Sequence, residues 1–196
     1  MDAAAGRFEP IDIPSPADCL ALMTAYGMLP NIREHSLIVR EVALHLGTSL
    51  VDTGFPLRLD LIEAGALLHD LGKTYCLGTS LNHAEWGAKA LLDAGYPEVA
   101  EIVREHVFLR AAGEDPGQIR EAELVNYADK RVLHTRVVTL TARFADLLER
   151  YGTSPEALSR IGGLEQKARR LEAKLFAPLS FNPAALLNLN HARREP

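Results

Sequence analysis

The sequence predicts an all-α protein, a single-domain helical bundle with a metal site in its core. Apolar residues recur at three- and four-residue intervals along most of the chain, which is the spacing of one helix face. No segment alternates apolar and polar residues between turn dipeptides, so no sheet is expected. The chain has 196 residues, 47% of them hydrophobic, which is enough for one core without a disulfide.

The first two helices have recognisable beginnings. Ser15 is a suitable N-cap and Pro16 a suitable first residue for a helix that runs to about Leu29. Asn31 can cap the second helix, in which His35 shares one face with apolar residues at helical spacing.

The next helices are separated by a loop. The near-continuous apolar run 57–71 predicts a buried third helix that Gly72 ends. Residues 74–81 have no periodicity and are predicted to form a loop, after which Asn82 or Ser80 caps a fourth helix. In that helix Gly87 presents no side chain, so a neighbouring segment could approach it closely.

Proline and glycine also divide the second half of the chain. Pro97 can begin a fifth helix with His106 on its apolar face, and residues 110–118 form a surface loop. A long helix is then expected to run to about Tyr151. Ser154 and the proline after it begin the last helix, which runs to about residue 176.

These signals divide the chain into an N-terminal extension (1–14), a helical domain (15–177) and a C-terminal tail (178–196). The tail contains leucines but no long pattern, so it is expected to dock weakly or to extend toward a partner chain. A homodimer is therefore one open expectation.

Composition limits the functional classes. The net charge of −5 disfavours a DNA- or RNA-binding surface, because such surfaces are basic. The apolar runs are too short for a membrane span, and residues 1–16 do not resemble a signal peptide, so the expected location is cytoplasmic. Cys19 and Cys76 have no paired spacing and are expected to be reduced core residues.

His69 and Asp70 are the residues most suggestive of function. They close an apolar run, where a buried carboxylate costs several kcal/mol unless a cation or hydrogen bonds compensate it. A divalent cation is the expected partner. Further candidate ligands share the same setting in apolar helical patterns, and they are His35, His83, His106 and Asp129.

Imidazole and carboxylate ligands together suit a transition metal better than calcium. Iron, manganese, zinc, cobalt and nickel are candidates, with magnesium as a further one, and two ions per chain are expected. Two ions about 3.5–4 Å apart could hold a bridging water and stabilise charge on phosphoryl oxygens.

Asp70 and Lys73 are therefore the predicted catalytic residues. Asp70 is the natural bridge between two ions, and Lys73 could bind a phosphate oxygen. Lys73 could also be a cation favoured at a helix C-terminus for local reasons. Lys130 is a weaker phosphate-binding candidate, and Arg110 and Arg131 could line the pocket mouth.

The segment 66–73 resembles the signature of the HD-domain metal-dependent phosphohydrolase superfamily, in the HDIG variant, with leucine at the third place. His35 matches the histidine that opens the family's pattern, and Asp129 matches the aspartate that closes it. His83 and His106 resemble the two added histidines of dinuclear members. The resemblance covers about residues 31–148 in the right order.

This resemblance implies a helical bundle of the HD-domain type with two metal positions that share one aspartate. The implied ligands are His35, His69, Asp70 and Asp129 for the first metal and His83, His106 and the bridging Asp70 for the second. Members with both positions hydrolyse phosphomonoesters, phosphodiesters or phosphoanhydrides, including nucleotides, cyclic dinucleotides and diadenosine tetraphosphate. The glycine-tyrosine-proline element of the cyclic-dinucleotide phosphodiesterases is missing after Lys73.

Three functions remain open at this point. The first is a dinuclear phosphohydrolase that uses metal-activated water on a nucleotide or another small phosphorylated metabolite. The second is a di-iron oxygenase with the same ligands, a chemistry found in some relatives of this fold. The third is a non-enzymatic module that senses a nucleotide.

Overall fold

The computed structural model describes residues 13–110 and 117–192, and helices dominate both ranges. Residues 1–12 of the predicted extension and 111–116 of the predicted loop lie outside the described residues. The all-α prediction is confirmed. The helices are α1 (Pro16–Ala25), α2 (Pro30–Asp52), α3 (Leu59–Leu68), α4 (Lys73–Cys76), α5 (His83–Asp93), α6 (Pro97–Glu105), α7 (Glu121–Lys130), α8 (Leu140–Tyr151), α9 (Pro155–Phe176) and α10 (Leu189–Ala192).

The start of α1 is as predicted, but its end is not. Ser15 accepts a hydrogen bond from the Asp18 backbone, and the Asp18 carboxylate accepts one from the Ser15 backbone. The chain then turns at Gly27, which has φ +64°, so the helix cannot continue to Leu29. The second helix begins earlier than predicted. Leu29 is its extended N-cap residue and Pro30 its first helical residue, so Asn31 lies inside the helix and is not its cap.

The third helix is shorter than the apolar run that predicts it. α3 ends at Leu68, and residues 69–72 form a turn that leads into the short helix α4, within the predicted loop. Because His69 and Asp70 lie in this turn rather than inside a helix, their side chains are not confined to one helix face.

The predicted long helix is broken by a small hairpin. Strands β1 (Val132–Leu133) and β2 (Arg136–Val137) pair in antiparallel register between α7 and α8. The expectation of no sheet is therefore wrong for these residues. His134 makes the turn with φ +54°, which places its backbone carbonyl next to the side chain of His35.

The core lies around α3, which packs against α2, α6 and α7. Both cysteines are buried and free, as predicted. No helix in the described part of the chain combines the length and the apolar character that a membrane crossing requires.

The C-terminal tail docks on the hairpin. A 3-10 helix (Pro183–Asn188) places Leu186 in full burial, and the Asn190 side chain exchanges two hydrogen bonds with the backbone of Val137. Leu186 is consequently not available to a partner chain.

Two glycines bring the turn after α3 against α5. A Cβ atom on Gly72 would lie 2.4 Å from the carbonyl oxygen of His83 and 2.9 Å from the backbone nitrogen of Gly87. Both neighbours are backbone atoms, which cannot rotate away. This contact confirms the close approach predicted at Gly87 and fixes the distance between Asp70 and His83.

We expect Gly72→Ala to lower the free energy of unfolding by about 1–3 kcal/mol, because the added methyl group overpacks backbone against backbone. Gly163→Ala is the matched control. A Cβ at Gly163 meets nothing within 4 Å in the described residues, so this exposed helical position should gain about 0.5–1 kcal/mol. Urea unfolding of both variants measures the difference, and equal stability for Gly72→Ala and the wild type would contradict the prediction.

Candidate metal centre

The predicted ligands converge from five parts of the chain on one point in the core. α2 supplies His35, the turn after α3 supplies two neighbours, and α5, α6 and α7 supply the rest at or near their ends. They are His35, His69, Asp70, His83, His106 and Asp129.

The first group contains His35, His69 and Asp129, whose ligand atoms all lie within 4.8 Å of one another. His35 Nε2 is 3.1 Å from Asp129 Oδ1, and His69 Nε2 is 3.7 Å from the same oxygen. Three side chains from different elements therefore point at one small volume.

The second group contains Asp70, His83 and His106, with the same limit of 4.8 Å between ligand atoms. Asp70 Oδ1 is 3.5 Å from His83 Nε2 and 3.7 Å from His106 Nε2. Its other oxygen, Oδ2, is 3.4 Å from His69 Nε2. The two Asp70 oxygens thus face the two groups, which is the geometry of a bridging carboxylate.

Backbone carbonyls orient three of the imidazoles. We assign the ring proton to Nδ1 in each case. His35 Nδ1–H then donates to the His134 carbonyl at 2.9 Å, His69 Nδ1–H to the Ala66 carbonyl at 2.8 Å, and His106 Nδ1–H to the Val103 carbonyl at 2.6 Å. In neutral rings this assignment leaves each Nε2 lone pair for a metal, as metal-binding histidines require. Without a metal, His35 Nε2 is instead the hydrogen-bond partner of Asp129 Oδ1 at 3.1 Å.

Two observations show that the pocket fits a cation. His69 Nε2 is buried, and no hydrogen-bond partner for it occurs in the described ranges 13–110 and 117–192. His83 Nε2 and His106 Nε2 lie 3.1 Å apart, so the two nitrogens face one small space in which an ion could replace the contact between the rings. A positive ion between the rings and carboxylates would satisfy both, and the nitrogen and oxygen donors suit a divalent transition metal.

The electrostatics of the site favour ionised carboxylates. Burial raises the pKa of Asp70, but the charge of His69 and the nearby imidazole of His106 outweigh it and hold the pKa well below its usual range. Burial also raises the pKa of Asp129, and the hydrogen bond from His35 and the charge of His69 reverse the effect in the same way. Both groups are therefore anions at neutral pH.

The histidines shift in opposite directions. Burial lowers the pKa of His69, but the charges of Asp70 and Asp129 more than compensate, so its pKa is raised. Burial and the neighbouring His106 lower the pKa of His83 to about 4. His83 is thus neutral at pH 7 and ready to bind a metal.

The predicted cationic residues lie in different places. Lys73 Nζ donates to Asp70 Oδ2 at 2.7 Å and lines the pocket that opens onto the ligands. Lys130 is buried behind His106, and its ammonium group donates to the His106 carbonyl, the Asn126 carbonyl and Asn126 Oδ1 at 3.0–3.1 Å. These three bonds use all of its donors, which disfavours phosphate binding.

The two predicted arginines do not line the mouth of the metal pocket. Arg110 pairs with Glu85 and Glu101 and borders a separate cavity of about 580 Å³, whose described lining contains none of the six predicted ligands. Arg131 is fully buried and donates to Val138, Tyr127, Glu172 and Pro183. The expectation that Arg131 lines the mouth is wrong, because these acceptors hold its guanidinium in the core.

Sequence reasoning missed the residues that do line the pocket mouth. Arg143, Leu147, Arg150 and Tyr151 come from α8 and lie beside His35 and Lys73 around a pocket of about 180 Å³. Arg143 and Arg150 are seven residues apart, hence on one helix face, which is a signal the sequence does contain. That spacing indicates a pocket lining only once the hairpin between α7 and α8, which places α8 beside the pocket, is known.

Comparison with known proteins agrees with this geometry. A family model described as HD domain matches residues 32–151. An uncharacterized protein of Methanocaldococcus jannaschii is 26% identical over 143 residues, which cover 67% of this chain and 83% of that protein. A tRNA (cytidine(56)-2'-O)-methyltransferase of Thermoplasma volcanium is 33% identical over 96 residues, which cover 48% of this chain but only 26% of that enzyme. No solved structure gives a significant match.

We expect metal binding to release protons near neutral pH and to weaken on acidification. Imidazole must be neutral to bind a metal, and the raised pKa of His69 means that a proton competes there already around neutrality, whereas His83 becomes a competitor only near pH 4. The apparent affinity for Mn²⁺ should therefore rise with pH across and above the ordinary histidine pKa of about 6.5.

Calorimetric titration with Mn²⁺ in buffers of different ionisation enthalpy measures both effects. His45→Ala, which removes an exposed histidine of α2, is the control and should release the same number of protons as the wild type. An affinity that does not change with pH, without proton release, would contradict the assignment of His69.

Proposed function

Since the chain belongs to the HD-domain family, we propose that it is a dinuclear metal-dependent phosphohydrolase. The proposed reaction cleaves a phosphoester or phosphoanhydride bond of a nucleotide or another small phosphorylated metabolite. The observation that supports it best is the division of the ligands into two groups that share Asp70. A single metal position would need one such group, and His83 and His106 would then have no cation to bind.

The proposed ligands follow from that division. His35, His69 and Asp129 hold the first ion, His83 and His106 hold the second, and Asp70 contacts both. When bound, the two ions supply a water molecule of lowered pKa and neutralise charge on phosphoryl oxygens. Iron, manganese, zinc, cobalt and nickel are compatible with this nitrogen and oxygen donor set.

The residues of the chain itself bind and orient the phosphoryl group. Burial lowers the pKa of Lys73, but the charges of Asp70 and Asp129 have the larger, opposite effect. The pKa is therefore raised overall, and Lys73 is a cation at neutral pH. It therefore binds a phosphoryl oxygen and does not serve as a base. In the reaction, a water oxygen bonds to phosphorus while the bond to the leaving oxygen breaks, and the electron pair leaves with that oxygen.

The charge at the pocket mouth favours this chemistry over oxygen-dependent cleavage of a neutral substrate. Lys73, Arg143 and Arg150 line one small pocket together with the buried carboxylate of Asp70. An anionic substrate gains from these cations, whereas a neutral substrate would not need them.

Metal analysis tests the dinuclear site. We expect about two ions per chain in protein purified without chelators, and about one in His83→Ala, because this substitution removes a ligand of the second group alone. His45→Ala should retain about two, since His45 is exposed and lies outside both groups. One ion in the wild type, unchanged in His83→Ala, would overturn the dinuclear proposal.

A panel of phosphomonoesters, phosphodiesters and nucleoside polyphosphates tests the activity. Asp70→Asn should lower kcat/KM by more than about 100-fold, because losing even an outer-shell partner of a metal site costs about 10–100-fold. Asp93→Asn, which removes an exposed carboxylate paired with Lys89, is the matched control and should leave kcat/KM unchanged.

Phosphate release that depends on added metal and on Asp70 would support the hydrolase. Consumption of dioxygen by the di-iron protein, without phosphate release from any member of the panel, would instead favour the oxygenase.

A further inference from the structure

Arg143, whose side chain is partly buried, differs from the fully buried Arg131 in how its donors are used. Arg131 has four acceptors around its guanidinium, including two backbone carbonyls. Arg143 Nε is buried with no hydrogen-bond partner in the described ranges 13–110 and 117–192. Its recorded ion pair is a loose one, with 3.5 Å from Nη1 to Asp146 Oδ2 on the next turn of the same helix.

The Arg143 guanidinium lacks a strong anionic acceptor, and an anion bound in the adjacent pocket could supply one. The side chain of Arg143 is 16% exposed, and Asp146 is shared with Arg150, whose Nη1 lies 3.3 Å from the same oxygen. A buried donor without an acceptor costs free energy, and a planar guanidinium pairs best with a bidentate anion such as phosphate. Arg143 lines the metal pocket, so this anion would arrive with the substrate.

The size of the pocket limits which part of the substrate it encloses. At about 180 Å³ it is smaller than the roughly 300–1,000 Å³ of pockets that enclose whole small molecules. Lys73 lies beside Asp70. The side chains of Lys73 and Arg150 are 41% and 46% exposed and Tyr151 is 53% exposed, so the pocket is open to solvent along these residues. The enclosed space therefore suits phosphoryl groups, while the remainder of the substrate extends past α8.

We propose that Arg143 binds a second phosphoryl group, joined directly to the one that is cleaved, so that the preferred substrates are phosphoanhydrides. This inference rests on the proposed hydrolase function and adds a specificity-determining residue to it. Lys73 contacts the cleaved phosphoryl group, and Arg143 contacts its neighbour.

The position also suits the chemistry of such a substrate. When a water oxygen bonds to the terminal phosphorus, the bridging phosphorus–oxygen bond breaks and its electron pair leaves on the neighbouring phosphoryl group. One water proton stays on the phosphate product and the other is released to solvent. Arg143 would thus face the group on which negative charge accumulates.

Binding of two non-hydrolysable probes tests the proposal independently of turnover. Methylphosphonate carries one phosphoryl-like group and methylenediphosphonate carries two adjacent ones. We expect Arg143→Gln, loaded with Mn²⁺, to bind methylenediphosphonate at least about tenfold more weakly than the wild type, with a change below about twofold for methylphosphonate. The metal content of each sample is measured alongside.

Two further variants make the result decisive. Arg160→Gln removes an exposed arginine of α9 that lies outside the described pocket lining, and it should bind both probes as the wild type does. Arg143→Lys keeps the charge but loses the bidentate fork, so it should lose affinity for methylenediphosphonate alone, and it replaces Arg143→Gln if that variant does not fold.

The outcomes separate the inference from the proposed function. Suppose that the wild type binds methylphosphonate, and that the Arg143 variants lose affinity for both probes equally or for neither. The proposed second phosphoryl position is then wrong, while the proposed hydrolase function is unaffected. If the metal-loaded wild type binds neither probe, the phosphohydrolase proposal itself fails.

Discussion

The burial of the Asp70 carboxylate is the constraint on which the rest of the structure depends. Asp70 is 1% exposed and remains ionised, a state that costs several kcal/mol without compensation. The chain compensates it from separate elements. His69 and Lys73 lie on one side of the carboxylate, and His83 and His106 lie on the other. A fold that failed to bring α5 and α6 to this turn would leave Oδ1 of this buried carboxylate without its two histidine neighbours.

A second set of buried polar groups holds the ligands from behind. Asn126 and Lys130 together hold the carbonyls at the end of α6, so that His106 is fixed by its own backbone. Burial lowers the pKa of Lys130 to about 8, because removing its ammonium group from water disfavours the charged form. The hairpin does the same for His35 through the carbonyl of His134. Arg131 then ties the hairpin to the docked tail through Val138 and Pro183. Parts of the chain that contact no ligand thereby determine the ligand geometry.

Local charge and overall charge have opposite signs in this protein. The chain carries a net charge of −5, yet the entrance to its acidic centre is lined by Lys73, Arg143 and Arg150. A small pocket with low-dielectric walls responds to its own lining more than to distant surface charges, which salt screens. The carboxylates of Asp70 and Asp129 attract cations, and the mouth attracts anions. This arrangement suits a site where metal ions and an anionic substrate must meet.

Most helix beginnings and the six metal-ligand candidates could be predicted from the sequence alone. These features depend on contacts between residues three or four apart, such as the capping box at Ser15, or on a motif of adjacent residues, such as His69 and Asp70. The close approach at Gly87 was also visible, because a missing side chain is a local fact.

The break between α7 and α8, the docking of the tail and the directions in which the Lys130 and Arg143 side chains point depend on tertiary contacts. The adjacent Arg131 side chain donates to the Val138 carbonyl, and the distant Asn190 side chain accepts from and donates to the Val137 backbone, so the hairpin is held from both sides. Lys130 and Arg143 are both cations in helices, yet one points to the back of His106 and the other to the pocket. Hydrogen bonds across 20 or more residues settle such directions, and the local sequence carries no record of them.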